Sequence, residues 1–259
     1  MTTERLLILG GTGEAAELAR AAAARFGDAL EVTTSLAGRT ERPRPLPGQV
    51  RIGAFAGPGG LAAYLTEHEI GRLIDATHPF ATRISAAAHL ACEQANVPRL
   101  VLRRPPWRRH PLDRWIEVDS VTTAAAIVDR TGRRAWLTLG ASEIAAFSAA
   151  TAVHYLVRLV DPPRHPLPLR SYDVILGRGP FSVAEEHCHI ERHAIDVIVC
   201  KASGGGATEA KIIAARKRDL PVIMVRRPPP EPGEWVDTVE EALDWLAGSH
   251  RVREARRVS

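Results

Sequence analysis

Apolar and polar positions alternate along this chain on two scales. Short apolar blocks such as LLIL (Leu6 to Leu9) read as strands, and the longer stretches between them space their apolar residues at helical intervals. Strand-like runs occur at Leu6 to Leu9, Glu31 to Thr34, Val50 to Ile52, Leu73 to Ala76 and Leu100 to Leu102, with helical patterns at 14–26, 59–68 and 80–96. A Pro- and Arg-rich segment, RRPPWRRHP (Arg103 to Pro111), interrupts the series. Strands then resume near Trp136 to Leu139, His154 to Val160, Val174 to Leu176, Val197 to Cys200 and Val222 to Val225. Helical patterns at 121–131, 143–150, 182–193, 207–218 and 239–247 alternate with them. Such alternation predicts parallel sheets covered by helices. The expected fold is therefore α/β: two Rossmann-like domains, residues 1–108 and 109–248, with an active-site cleft between them and a disordered basic tail at 249–259. Two long proline-rich loops, Leu36 to Gln49 and Asp161 to Ser171, read as lids, binding loops or plain surface excursions.

Composition changes this picture little. With 259 residues and 45% apolar content the chain can bury an ordinary core. Cys92, Cys188 and Cys200 form no C-x-x-C pair and leave an odd thiol, so the expected compartment is reducing, the cytoplasm. No apolar run reaches membrane-spanning length and no signal-peptide pattern opens the chain, so no membrane partner is expected. The net charge of +4 owes much to Arg251, Arg253, Arg256 and Arg257, set against Glu254 in the tail. That leaves a near-neutral body, and no nucleic-acid partner is expected. Trp107 beside Arg108 and Arg109 is a poor stacking platform for bases. Only Lys201, Lys211 and Lys217 among 34 basic residues are lysine, and the first two flank a glycine loop.

Candidate chemistry begins at LLILGGTGEAAELA (Leu6 to Ala19), an apolar strand that runs through a glycine turn into an alanine-rich helix. Gly11, Gly13 and Ala16 fit the G-x-G-x-x-G/A fingerprint of dinucleotide sites, within a turn that also includes Gly10, Thr12, Glu14 and Ala15. The helix N-terminus offers N–H groups to a pyrophosphate. An NAD site normally has an acidic residue at the end of the second strand, but here the strand ends Thr33-Thr34-Ser35, with Arg39 and Thr40 following. Hydroxyls and a guanidinium suit a 2′-phosphate, so NADPH is the expected cofactor. The fourth strand leads into DATHPFA, which puts Asp75, Thr77, His78, Pro79 and Phe80 at the carboxyl edge of the sheet, with Pro79 in the first helical turn and Thr77 as helix cap. In the second half Val197 to Cys200 runs into Lys201-Ala202-Ser203-Gly204-Gly205-Gly206, a second anion cradle. The cluster His187 to His193 looks metal-like, with His189, His193 and Glu186 on one helical face, but three ligands on one helix lack the fourth of a closed zinc site. No metal is expected, and the face reads as exposed and polar.

Taken together, GGTGEA, DATHPFA, GPFS (Gly179 to Ser182) and KASGGG with Lys211 resemble the precorrin-6A reductases of cobalamin biosynthesis, in order across the chain to about Leu246. The resemblance implies an oxidoreductase of the CH–CH class. It would use NADPH to reduce a double bond of a tetrapyrrole macrocycle, giving precorrin-6B, with hand-over to neighbouring pathway enzymes as a further expectation. It places adenosine and pyrophosphate on Gly11, Thr12, Glu14 and the Ser35, Arg39, Thr40 edge. Thr77, His78 and the loop from Lys201 through Ser203 and Gly204 to Gly205 would meet the nicotinamide end. The acetate and propionate arms of the substrate suggest Arg103, Arg104, Arg158 and Arg178 as clamps. For the proton that must accompany the hydride, His78, Lys201 and Asp75 are candidates beside water or a substrate carboxyl; histidine is the residue type whose charge changes near neutral pH. Competing readings are another NADP-linked oxidoreductase, a methyltransferase and a non-catalytic NADP sensor. A short-chain dehydrogenase needs Tyr-x-x-x-Lys, and Tyr64, Tyr155 and Tyr172 have no lysine four residues on.

Overall fold

The computed structural model describes residues 3–38, 45–248 and 253–255. Contacts divide it into two units, one formed by residues up to Pro105 together with those from Pro228 onward, the other by Pro106–Arg227.

The first unit starts with β1 (Glu4–Leu9), whose Leu6, Leu7 and Ile8 are fully buried because helices cover both faces of the sheet. α1 (Gly13–Phe26) follows, with Ala15, Leu18, Ala19 and Ala22 buried at helical spacing on one face. Then come β2 (Leu30–Leu36), β3 (Gln49–Ile52), α2 (Gly57–Glu67), β4 (Arg72–Asp75), α3 (Thr82–Ala95) and β5 (Arg99–Leu102). α3 ends at Asn96, which adopts φ +53, a left-handed turn that asparagine tolerates.

The second unit contains β6 (Arg114–Val118), α4 (Val121–Thr131), β7 (Arg134–Leu137), β8 (His154–Leu159), β9 (Tyr172–Leu176), α5 (Val183–Arg192), β10 (Val197–Lys201), α6 (Ala210–Lys217) and β11 (Pro221–Val225). These six strands form a parallel sheet in the order β6-β11-β10-β7-β8-β9. Its core on one face gathers Trp136, Leu156, Ile190, Ile198 and Met224.

After β11 the chain returns to the first unit as β12 (Gly233–Val236), α7 (Val239–Leu246) and β13 (Arg253–Ala255). β12 pairs in parallel with β5, and β13 pairs antiparallel with β12, completing the order β13-β12-β5-β4-β1-β2-β3. Setting β13 aside, both sheets share one plan. The first strand of each run lies inside the sheet, the next two extend to one side and the following two to the other, which is the doubly wound order. The far edge beside β5 and beside β11 is filled by β12 and β6, strands from the opposite ends of their units' sequence.

This return corrects the expectation that 109–248 forms one continuous domain. Val236, Ala242, Leu243 and Leu246 lie in the same core as Leu6, Ile8, Leu18 and Ala22, so burial of their apolar faces pulls the last helix onto α1. The expected disordered tail is corrected at 253–255, which form a strand; the rest of 249–259 lies outside the described residues. The helix expected at 143–150 is a 3-10 segment, Ala141–Phe147. β6 and β12 were not read from sequence: RWIEV and GEWV are short, carry charges and lie near sheet edges.

Leu243 is 4% exposed and belongs to the first unit's core despite its place near the end of the chain. Leu243→Ala is expected to cost about 2 to 5 kcal/mol, read by urea unfolding followed through a probe in the first unit. A loss near zero would mean that α7 does not help to hold that core.

Candidate active site

The glycine turn after β1 is shaped by close packing. Gly10 N–H donates to Ser35 O at 2.9 Å, and a Cβ on Gly10 would lie 2.9 Å from the Thr34 methyl, so only glycine lets β1 and β2 run this close. Gly11 adopts φ +104, which L side chains rarely do. A Cβ added at Gly11 or Gly13 would meet nothing within 4 Å among the described residues. The front of the turn is thus open where a pyrophosphate would approach, and the first N–H groups of α1 lack intrahelical acceptors. The residues fit a dinucleotide.

Thr12 fixes this turn. Its hydroxyl accepts from Ala15 N at 3.1 Å as the N-cap of α1 and donates to Ala76 O at 2.7 Å. Glu14, in the first turn of α1, pairs with Arg104 at 2.7 Å, which offsets a carboxylate beside the glycine turn. Arg104, named from the sequence as a clamp for substrate arms, is thus found paired with Glu14.

At the exit of β4, Asp75 is 1% exposed, and its Oδ1 accepts from Thr77 N at 3.1 Å and from the Thr77 hydroxyl at 2.7 Å. The expected cap role for Thr77 is corrected: α3 starts only at Thr82, and its N-cap is Ala81. Between them lies a turn closed by Ala81 N to His78 O at 2.7 Å, with Pro79 in its second position, where a fixed φ and missing N–H fit best. Within it Phe80 N donates to His78 Nδ1 at 3.3 Å, and the two rings lie 5.7 Å apart.

At the end of β2, Ser35 is 6% exposed and lies opposite Arg51 of β3. Arg51 Nη1 lies 3.4 Å from Ser35 Oγ. Arg39 and Thr40, named for the same edge, lie outside the described residues. Sequence reasoning passed over Arg51 because a proline-rich loop separates it from Ser35; the only sequence signal was its place inside the next predicted strand.

In the second unit, β10 delivers Lys201 to the carboxyl edge of the sheet, where Nζ pairs with Glu143 Oε1 at 2.6 Å, both side chains largely shielded. Glu143 Oε2 also accepts from Gly140 N at 3.0 Å, so the carboxylate is anchored before it meets the lysine. The loop that follows is braced by its carbonyls. Arg227 donates to Ala202 O at 2.7 Å and Ser203 O at 2.6 Å, the Thr208 hydroxyl donates to Gly204 O at 3.2 Å, and Trp107 Nε1 donates to Gly205 O at 2.9 Å. Gly204 and Gly205 adopt φ +66 and +71. Lys211 lies beneath the loop, 6% exposed, donating to Thr208 O at 2.7 Å with its ammonium 5.1 Å from the Trp107 ring. Glu143, Trp107 and Arg227 were missed in the sequence because their partners are distant along the chain.

The remaining arginine expectations divide. Arg158 is corrected: it is 9% exposed, forms a two-pronged pair with Glu186 at 2.8 and 3.0 Å, and stacks on Phe181 and Trp136 at 4.0 and 4.6 Å. A guanidinium so enclosed is part of the core. Arg103 lies 3.3 Å from the Trp235 ring centroid, and Arg178 is half-buried. The polar face expected on α5 is also corrected. Glu186 is 1% exposed, and His189 stands edge-on to Trp136 at 5.6 Å, its pKa lowered by burial and then by Arg158. His193 turns instead to Asp173 at 3.4 Å. Among the described residues no three metal-ligating side chains are grouped to hold an ion. Burial pushes the Cys92 and Cys200 thiols up to about 12 and about 11, so both are unreactive near neutral pH.

Residues 5–247 match the model of the family described as precorrin-6x reductase CbiJ/CobK. The chain is 44% identical to the precorrin-6A reductase of Rhodococcus erythropolis, over 93% of this chain and 97% of that one. It is 31% identical to the cobalt-precorrin-6A reductase of Salmonella typhimurium, over 87% and 88%. A solved structure, CobK precorrin-6A reductase, superposes with a TM-score of 0.90 at 41% identity, covering 95% of this chain and 97% of that one.

Thr12→Ala should remove a cap worth about 1 kcal/mol and release the β4 exit, lowering both stability and affinity for adenine dinucleotides. Thr12→Ser should retain both. Thermal unfolding and calorimetric binding of NADP check this, and a Ser variant as weak as Ala would show that the hydroxyl is not what matters.

Proposed function

Since this chain belongs to the precorrin-6x reductase family, we propose that it reduces a double bond of metal-free precorrin-6A to give precorrin-6B in cobalamin biosynthesis, with NADPH as the reductant. The observation that carries the reading is the whole-length match to precorrin-6A reductases, joined to an open glycine turn at the head of a doubly wound sheet. Higher identity to the relative named for precorrin-6A than to the one named for cobalt-precorrin-6A supports the metal-free substrate. Serine and threonine in place of an acid at the end of β2 support NADPH over NADH. Free Cys92, Cys188 and Cys200 suit the cytoplasm.

When bound, a reduced nicotinamide supplies the hydride for one carbon of the double bond, and the adjacent carbon takes a proton. The chain's own work is to bind, orient and hold charge. The turn from Gly10 to Ala15 receives the pyrophosphate on backbone N–H groups, and Ser35 lies at the ribose edge. Asp75 fixes Thr77 and so shapes the turn through His78, Pro79 and Phe80. In the second unit Glu143 keeps Lys201 in place as a compact cation at the strand end. From there Lys201 can hold a substrate carboxylate or deliver a proton, while Ser203, Gly204 and Gly205 present braced backbone. Of the acids named from sequence, Lys201 is the one whose partner geometry prepares a charge at a sheet's carboxyl edge, so we assign it ahead of His78 and Asp75.

The deciding experiment is anaerobic incubation with NADPH or NADH and precorrin-6A, with and without cobalt, following cofactor and macrocycle spectra. One NADPH oxidised per metal-free macrocycle is expected; no change in the macrocycle would overturn the assignment. Lys201→Ala is expected to lower kcat about a hundredfold while leaving 2′,5′-ADP binding near wild type. Lys201→Arg should rescue poorly, because a planar fork is no substitute for a compact ammonium. Full activity in Lys201→Ala would take the second unit's loop out of the reaction.

A further inference from the structure

The edge of the first sheet holds a prepared cation that the reduction itself does not require. Arg51 lies on β3, directly opposite Ser35 in the parallel register. Ser35 O in turn accepts the Gly10 N–H at 2.9 Å, so the guanidinium is one strand and one residue away from the glycine turn. Three features fix its position. Nη1 donates to Gly53 O at 2.6 Å, Nη2 donates to Ala54 O at 3.1 Å, and the guanidinium carbon lies 3.8 Å from the Phe55 ring centroid. Together with the approach to Ser35 Oγ at 3.4 Å, these contacts engage three of the five N–H donors among the described residues.

A surface arginine normally loses side-chain freedom when it grips an anion, and here stacking and the two carbonyls have already imposed that order. The neighbouring strand end is Thr33, Thr34 and Ser35, all buried, with no carboxylate to repel an incoming dianion. We propose that Arg51, acting with Ser35, is the specificity-determining residue that reads the 2′-phosphate of the adenosine ribose and so sets the preference for NADPH over NADH. This rests on the dinucleotide reading of the glycine turn. It departs from the sequence-based assignment of that role to Arg39. A phosphate meeting this edge gains a charge-assisted hydrogen bond from a fixed guanidinium and a second from a hydroxyl, whereas the bare ribose hydroxyl of NADH gains neither charge term. The other role open to Arg51 is that of a plain latch on the Gly53 and Ala54 carbonyls, and such a latch would not distinguish phosphorylated from unphosphorylated ribose.

The test compares calorimetric binding of 2′,5′-ADP and 5′-ADP to the wild-type chain, Arg51→Gln, Phe55→Leu and Arg39→Gln. Arg51→Gln is expected to lose about tenfold to a hundredfold in affinity for 2′,5′-ADP, the scale of one hydrogen bond to a charged group, with 5′-ADP changed less than about twofold. Phe55→Leu keeps the charge but removes its platform, and should weaken 2′,5′-ADP alone by about threefold. It serves as the test should Arg51→Gln fail to fold. Equal losses for both nucleotides, or an unchanged preference for 2′,5′-ADP, would overturn the assignment to Arg51 while leaving the NADPH reading intact, and a selective loss in Arg39→Gln alone would return the role to that residue. A wild-type chain that binds both nucleotides alike would overturn the NADPH reading, and this inference with it.

Discussion

One hydroxyl holds the first unit's carboxyl edge together. Thr12 Oγ1 has a single proton to give and gives it to Ala76 O, while its lone pair receives the Ala15 N–H. The start of α1, the glycine turn and the exit of β4 are thereby tied at one atom. The open space before Gly11 and Gly13 depends on this tie, because the turn must keep its N–H groups outward while the chain beyond Ala76 is held alongside. Asp75 continues the chain of constraint by holding both the N–H and the hydroxyl of Thr77. The turn of His78 to Ala81 is therefore held from both sides, by this chain of contacts from β1 outward and by α3, whose Ile84 and Ser85 N–H groups donate to Ala81 O.

The second unit reaches a comparable strand, loop and helix by different chemistry. Its glycine loop has no threonine at a helix cap; its carbonyls are held from outside by a guanidinium, an indole and a hydroxyl. Charge inside this unit is paired two ways. Arg158 and Glu186 are enclosed, where breaking the pair would strand a buried charge, and Lys201 with Glu143 is placed at the carboxyl end of β10, where both side chains are less fully enclosed. An ion pair to glutamate is thus enclosed in one place and set at the carboxyl end of a strand in the other.

What the sequence made legible was local. The strand, glycine turn and helix of the first motif lie within a few residues of one another, and β1, β2 and α1 appear close to where their patterns put them. What stayed hidden was pairing across distance. Arg158 reads as a loop-edge clamp until Glu186 is brought to it from 28 positions away. Thr77 reads as a helix cap because Pro79 suits a first helical turn, yet α3 begins only at Thr82 and the Thr77 hydroxyl turns back to Asp75. Arg51 gains meaning only from the register of two strands joined through a long loop. β12 and α7 follow the second unit's strands in sequence, so continuity alone assigned them to it, and only the shared core of Leu243 with Leu18 reveals the return.

That return also sets an order of events during synthesis. The second unit is continuous from Pro106 to Arg227 and has every strand of its sheet once that stretch has left the ribosome. The first unit, although begun earlier, lacks β12 and α7 until residues 233–246 emerge. At about 5 to 20 residues per second, the nascent chain carries β5 as an unpaired sheet edge, with one face of α1 uncovered, for several seconds or more. Of the two units, the one begun first is thus completed second, and until then β5 offers an open strand edge to a chaperone that screens for one.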